Sequence, residues 1–233
     1  MGSTRLPGKV LKDLEGGTVL SRVIARAKRA ATIGEVIVAT SDAAGDDVIV
    51  TECKKLNAKV FRGDEKDVLD RYYRAAQLFK AEVVVRITAD CPLIDPGLVD
   101  ETVRKFLDER PDYASNALER TYPRGLDTEV FTVRALELAW SKSTDAYQRA
   151  HVAPYMYQNP QLFKVLAIKG EKDYSSLRWT LDTEEDLEFL RAVYSRFSGR
   201  DDFEWRDVLS VLEREPHLSE LNRNVAQKDL HEG

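Results

Sequence analysis

The feature that most constrains this chain is an alternation in its first half. Three short runs apolar on both faces, EVIVAT (35–40), AKVFRG (58–63) and EVVVRIT (82–88), are separated by segments with helical periodicity. A strand without a polar face must be covered on both sides, and strands that succeed one another through a helix run parallel. The expected class is α/β, a sandwich with a mainly parallel central sheet and helices on both faces. In TVLSRVIARAKRA (18–30), Val19, Leu20, Val23, Ile24 and Ala27 share one helical face, and in DVLDRYYRAAQLF (67–79), Val68, Leu69, Tyr72, Ala76 and Phe79 are read as inward. Pro96 opens a helix over 97–110, with Asp95 placed to cap it.

The second half is less regular. Residues 113–131 read as a long connection ending in a strand near 128–131. Helices follow in 134–143 and 146–158, strands at 163–168 and 177–181, and patterned helices at 184–197 and 205–215. The polar stretch from His217 is expected to dock loosely. With no repeat or Pro/Gly linker, residues 1–233 read as one domain with a small elaboration near 133–170.

Composition narrows the function classes. The net charge of −5 excludes a broad basic face for nucleic acid, although not a small basic pocket. Cys53 and Cys91 form no CxxC pattern, so neither a disulfide framework nor a structural zinc site is expected. No leader and no apolar run of membrane-spanning length is found, and a cytoplasmic setting is the expectation.

Several stretches can carry chemistry. The opening MGSTRLPGKVL (1–11) combines Gly2, Ser3, Pro7 and Gly8 with the cations Arg5 and Lys9. It is not a Walker A loop, because five residues separate the glycines and Val10 follows the lysine. Small residues still let backbone N–H groups face an anion; the alternative is a solvated basic N-terminus. Asp90 lies just past the strand at 82–88, where open α/β sheets bind ligands, and a carboxylate there suits Mg²⁺. Asp182 follows the strand at 177–181 and precedes a capping pattern made by Thr183 and Asp186, so it reads either as a ligand or as part of the cap. Thr40, Ser41 and Asp42 suit a base or ribose, or simple capping. Arg124, Asp127 and Glu129 surround a Pro-Arg-Gly turn that either faces a polyol or is an ordinary surface turn. His151 among apolar residues reads as structural, and Cys91 as a buried filler with no base beside it in sequence.

Taken in order, MGSTRLPGKVL, ATSD, VFRGDEKDVLDRYYRAA, RITADCPLIDP, YPRGLDTEVF, HVAPYMYQNP and RWTLDTEEDLEFL resemble the spore coat polysaccharide biosynthesis protein F-like members of the acylneuraminate cytidylyltransferase family. The resemblance spans nearly the whole chain. It implies a Rossmann-like (GT-A-like) nucleotidyltransferase fold and transfer of CMP from CTP to an acidic or modified sugar, with release of pyrophosphate and with Mg²⁺ as cofactor. It implies that Gly2, Ser3, Arg5 and Lys9 hold the triphosphate, with Thr40, Ser41 and Asp42 also on the nucleotide. Lys9, Arg5 and Asp90 become the catalytic group, and Asp90 and Asp182 the metal carboxylates. Asn116, Arg124, Asp127, Glu129 and His151 fall to the sugar. A homodimer through the segment at 133–170 is also implied, with no nucleic acid and no membrane insertion. The sequence departs from the family pattern at two places. An apolar strand ending in Gln-Ala-Arg does not precede the Gly-Ser loop, and Ala150 stands where Glu is expected. In the family that first strand is central, so its slot in the sheet is expected to be open. A GT-A-type glycosyltransferase is the alternative enzyme, although Ala89-Asp90-Cys91 lacks the Asp-x-Asp that such enzymes favour. An inactive nucleotide-binding protein is the alternative outside enzymes.

Overall fold

The computed structural model describes residues 1–227. In chain order the elements begin with α1 (Val19–Lys28), β1 (Ile37–Ser41), α2 (Asp47–Lys55), β2 (Lys59–Gly63), α3 (Val68–Leu78), β3 (Val83–Arg86) and α4 (Pro96–Glu109). The second half adds β4 (Tyr113–Ser115), β5 (Glu129–Thr132), α5 (Val133–Lys142), α6 (Ala146–His151), α7 (Pro154–Gln158), β6 (Val165–Ala167), α8 (Glu184–Arg196), α9 (Trp205–Arg214) and α10 (His217–Glu220).

The strands form two sheets, a parallel pair β1-β2 and a four-stranded sheet in the order β3-β5-β4-β6. β1 and β2 align Ile37 with Lys59 through Ser41 with Gly63, and β4 and β6 are also parallel. β5 runs antiparallel to both neighbours. The reason lies in the connection: residues 116–128 return from β4 to β5 without a helix, and only antiparallel strands can be joined without a crossover. β4 itself escapes the sequence reading because it is three residues long, although all three are buried. The strand expected at 177–181 is absent. Arg178 makes only an isolated bridge to Arg124, and the Leu181 N–H donates to the Asp90 carbonyl instead of to a strand.

Helix α1 holds the two sheets together. Its expected apolar face is buried as a whole. Leu20 and Ile24 pack in one cluster with Val38 of β1, while Val23 shares a cluster with Val83 and Val85 of β3. Arg22 and Arg26, which a helical wheel assigns to the solvent side, are buried as well. Arg26 donates to the carbonyls of Ile94, Asp201 and Phe203 at 2.7, 3.1 and 3.0 Å and lies over the Phe203 ring. Arg22 donates to the carbonyls of Leu14, Glu15 and Gly199. In α3 Tyr72 packs half-buried against the core as expected, but the buried tyrosine is Tyr73, which stacks on Trp140 of α5 with ring centroids 4.3 Å apart. The stretch from His217 is better docked than its polarity suggests, since Leu218 and Asn222 are buried.

β1 and β3 each stand at the end of their sheet, so each has one unpaired edge among the described residues, with α1 lying against both. An edge of free N–H and C=O groups accepts a further strand. Fusing an apolar strand of about 5–6 residues upstream of the Gly-Ser loop should therefore stabilise the chain, each kcal/mol gained appearing as about 2–4 °C in Tm at this size. A fusion of equal length with a central proline is the control. Equal melting of the two fusions in calorimetry would show that the edges do not take up a strand.

Candidate active site

The opening loop is anchored by Leu6, which is buried in the largest apolar cluster. Gly8 then adopts φ 68°, a left-handed conformation that favours glycine, and turns the chain into a 3₁₀ turn at Lys9–Leu11. This turn aims the Lys9 side chain at the carboxyl ends of two distant segments. Its Nζ donates to Asp90 Oδ2 at 2.5 Å, to Asp182 Oδ1 at 2.8 Å and to the Leu181 carbonyl at 2.8 Å. The segments bearing the two carboxylates are themselves tied, because Leu181 N–H and Thr180 Oγ1 both donate to the Asp90 carbonyl.

Asp182 also accepts from Arg178 Nη2 at 2.7 Å and lies 3.1 Å from Arg5 Nη2. Behind it, Asp186 is fully buried and accepts from Arg178 Nε and Nη2, from the N–H groups of Asp182 and Thr183, and from Asn222. The Thr183–Asp186 capping box is present and the N-cap is Thr183, which leaves the Asp182 carboxylate to its cations. Burial opposes both charges in the central pair, yet each is reinforced. Asp182 is lowered below the ordinary carboxylate value because Lys9 and Arg178 outweigh desolvation. Lys9 is raised above the ordinary lysine value because Asp90 and Asp182 outweigh it. Across the group, Lys9, Arg5 and Arg178 face Asp90, Asp182 and Asp186, so the charges balance.

The residues expected on a base or ribose are otherwise engaged. Thr40 and Ser41 donate their hydroxyls to Asp46 Oδ2 at 2.7 and 2.6 Å; the N-cap of α2 is Asp46 itself, so neither hydroxyl caps that helix, and Asp42 is exposed. Asp46 Oδ1 meets the Met1 amino group at 2.6 Å. The opening loop thus runs from the end of β1 to Asp90. Ser3 Oγ accepts from the Leu6 N–H within that loop, and Gly2 lies beside Glu65.

The expected sugar residues divide. Asn116 is 1% exposed, and its amide donates to the Leu126 carbonyl and accepts from the Thr128 N–H. These two bonds brace the 116–128 loop. Asp127 pairs through both oxygens with Arg120, at 2.5 and 2.7 Å. Glu129 pairs with Arg86 and accepts from the Tyr113 hydroxyl at 2.7 Å. His151 ends α6 with its ring 4.7 Å from that of Tyr147, whose hydroxyl is 3.3 Å from the Tyr157 hydroxyl. Arg124 is half-buried, and its guanidinium has no acidic partner among the described residues. Burial, then Arg120 and Arg178, lower its pKa, partly offset by Asp127 and Asp182. It lines a cleft of about 490 Å³ with Ser175, Ser176, Arg178 and Arg223. Gly125, at φ +107°, permits this placement, since a Cβ there would lie 2.5 Å from the Trp179 backbone.

Sequence reasoning missed Arg86, Arg120 and Arg178, the three arginines that neutralise the expected carboxylates. Only Arg178 carried a local signal, its i,i+4 spacing to Asp182. Cys91 is a buried filler, as expected. Burial, and then Asp90 and Asp127, push its thiol far above the ordinary value, the wrong direction for a nucleophile.

The chain matches the family described as Cytidylyltransferase over residues 1–214. It belongs to the cytidylyltransferase family. A cytidylyltransferase from Leptospira borgpetersenii superposes with a TM-score of 0.91 at 35% identity, covering 98% of this chain and 95% of that one. The spore coat polysaccharide biosynthesis protein SpsF of Bacillus subtilis is 32% identical over 225 residues, 93% of this chain and 92% of its own length. Protein MJ1063 of Methanocaldococcus jannaschii is 38% identical over 233 residues, 99% of this chain and 94% of its own. In this cytidylyltransferase the match covers the Lys9 loop and both central carboxylates.

The depressed pKa of Asp182 fixes the sign of a pH effect. Its ion pairs stabilise the fold above the unfolded carboxylate pKa of about 4, and this contribution is lost as pH falls through the lower folded value. Asp182→Asn should therefore lower the urea midpoint near neutral pH, and the two proteins should converge as pH falls through that lower value. Parallel curves for the two proteins over that range would show that the Asp182 charge contributes nothing to stability.

Proposed function

We propose that the chain transfers CMP from CTP to an acidic sugar, releasing pyrophosphate, in the synthesis of a cell-surface polysaccharide. The observation that carries this reading is the convergence of Lys9, Asp90 and Asp182, from three separate segments, on one point. Membership of the family supplies CTP, and the relative named for spore coat polysaccharide supports the pathway class.

The donor set fits Mg²⁺. Asp90 and Asp182 already share the Lys9 ammonium, and Mg²⁺ typically takes one or two protein carboxylates and completes its shell with phosphate oxygens and water. Asp90 and Asp182 would hold the ion, which when bound neutralises phosphate charge. In the reaction a sugar hydroxyl oxygen bonds to the α-phosphorus as the bond from that phosphorus to the bridging oxygen breaks. Pyrophosphate departs with the electron pair, and the hydroxyl proton passes to solvent. Arg5 and Lys9 stabilise the growing charge on the leaving group. Arg178 and Asp186 keep Asp182 in place, and no protein nucleophile takes part.

The preference for an acidic sugar rests on Arg124. A half-buried guanidinium without a carboxylate partner, in a cleft that reaches Arg178, is suited to a sugar carboxylate. Arg120 and Arg86 are already paired to Asp127 and Glu129, which leaves those acids to orient hydroxyl groups.

Pyrophosphate release from CTP with a panel of sugar acids and neutral hexoses tests the reading. Turnover is expected with an acid and not with the neutral sugars. Asp90→Asn and Asp182→Asn should each cost about 10²–10³-fold, and the double variant little more, because the two serve one ion. Lys9→Ala should weaken CTP binding and leave the sugar KM nearly unchanged. Arg124→Gln should raise the KM for the acid by about 10–100-fold. Normal turnover and metal dependence in Asp182→Asn would refute the role given to that carboxylate.

A further inference from the structure

Lys9 stands where a metal bound by Asp90 and Asp182 would have to stand. Its Nζ is within 2.8 Å of an oxygen from each carboxylate, and the Leu181 carbonyl takes a third ammonium hydrogen. This is a saturated arrangement, since an ammonium has three N–H donors and all three have acceptors. It is also charge-balanced, with Arg5 and Arg178 already on Asp182. A divalent cation arriving alone would be placed against an ammonium and two guanidinium groups, a strongly repulsive position in a half-buried site. A cation arriving with a triphosphate brings its own anions, and those anions offer Lys9 and Arg5 somewhere else to bind.

We propose that Lys9 is the resident counter-ion of Asp90 and Asp182, one that excludes a free divalent cation and yields its place only to a cation delivered with the nucleotide. The inference rests on the metal reading given above and goes beyond it. Lys9 then has two positions, on the carboxylates before the nucleotide binds and on the triphosphate afterwards. The loop that carries it turns at Gly8, the point at which Lys9 would swing, and Leu6 anchors its base. Without Lys9 the two carboxylates would repel each other in the empty site. With it they are held at the separation one small cation requires.

Binding of Mn²⁺, followed by the electron paramagnetic resonance of the free ion, tests this without turnover. The full chain is titrated with Mn²⁺ alone and with Mn²⁺ plus CTP in the absence of sugar. Wild type should bind Mn²⁺ alone weakly and with CTP tightly. Lys9→Met should bind Mn²⁺ alone at least about tenfold more tightly than wild type, since the competing ammonium is gone. Adding Asp182→Asn to Lys9→Met should abolish that gain. Thermal melting provides a second readout. Lys9→Met should melt below wild type without metal and recover with Mn²⁺, whereas wild type should hardly respond. Lys9→Gln, which keeps a neutral donor between the carboxylates, is used if the methionine variant fails to fold and should also bind Mn²⁺ more tightly than wild type. Unchanged affinity for Mn²⁺ alone in these variants overturns the inference. Should Asp90→Asn and Asp182→Asn leave the Mn²⁺ bound with CTP unaffected, the metal reading itself fails and the inference with it; the two failures are thereby distinguished.

Discussion

The guanidinium of Arg26 lies in the interior and is bonded to three backbone carbonyls from two distant places in the chain. Burying a cation is costly unless dipoles replace its water, and here carbonyl oxygens and the face of Phe203 take that role. Because Arg26 belongs to α1, the bonds lock that helix to the start of α4 and to the link between α8 and α9. Arg22, one turn earlier, fastens α1 to the 14–15 turn that follows the opening loop. With α1 fixed, both sheets have a common support, and the opening loop has a rigid base from which to present Lys9. A lysine at either arginine position would lack the planar fork that reaches several carbonyls at once.

The same economy of charge governs the candidate site. Each carboxylate there meets at least one cation, Asp182 as many as three, and Asp186 serves as the interior anchor for the series. Its five donors come from Arg178, from two backbone N–H groups and from Asn222, so the orientation of Asp182 is set from behind by a group that never reaches solvent. Arg124 departs from the rule. It is held in the cleft by the backbone pairing of its segment with Leu177 and Trp179, not by a counter-charge.

Local signals in the sequence carry the regular part of the fold. The apolar face of α1, the Asp95 cap before Pro96, the Thr183–Asp186 box and the strands around 37–41, 59–63 and 83–86 all follow from periodicity or capping chemistry and are present. Asp90, Asp182 and Lys9 were singled out by place in the chain and by resemblance, and they meet. What could not be read depends on long-range pairing. Tyr113 begins a strand only because β5 and β6 flank it, and residues 178–181 fail to form one because their hydrogen bonds go to loops. The two backbone bonds of the Asn116 amide are likewise long-range, reaching Leu126 and Thr128 across the 116–128 loop. The buried arginines were illegible for the same reason. A helical wheel assigns charge to water, and nothing local announces that carbonyls from remote segments will solvate it.

The spacing of the Lys9 contacts along the chain has a consequence in time. Its partners lie 81 and 173 residues away, and Arg5 reaches the carbonyl of Ala226 across 221 residues. During synthesis this loop emerges well before its last partners, which follow it by more than a hundred residues. The β1-β2 unit and helices α1 to α4 can order beforehand through nearer contacts, but loop closure of that span comes late. Assembly of the Lys9 cluster therefore comes late in folding, and a chain interrupted before residue 182 carries Arg5 and Lys9 without the Asp182 carboxylate they meet.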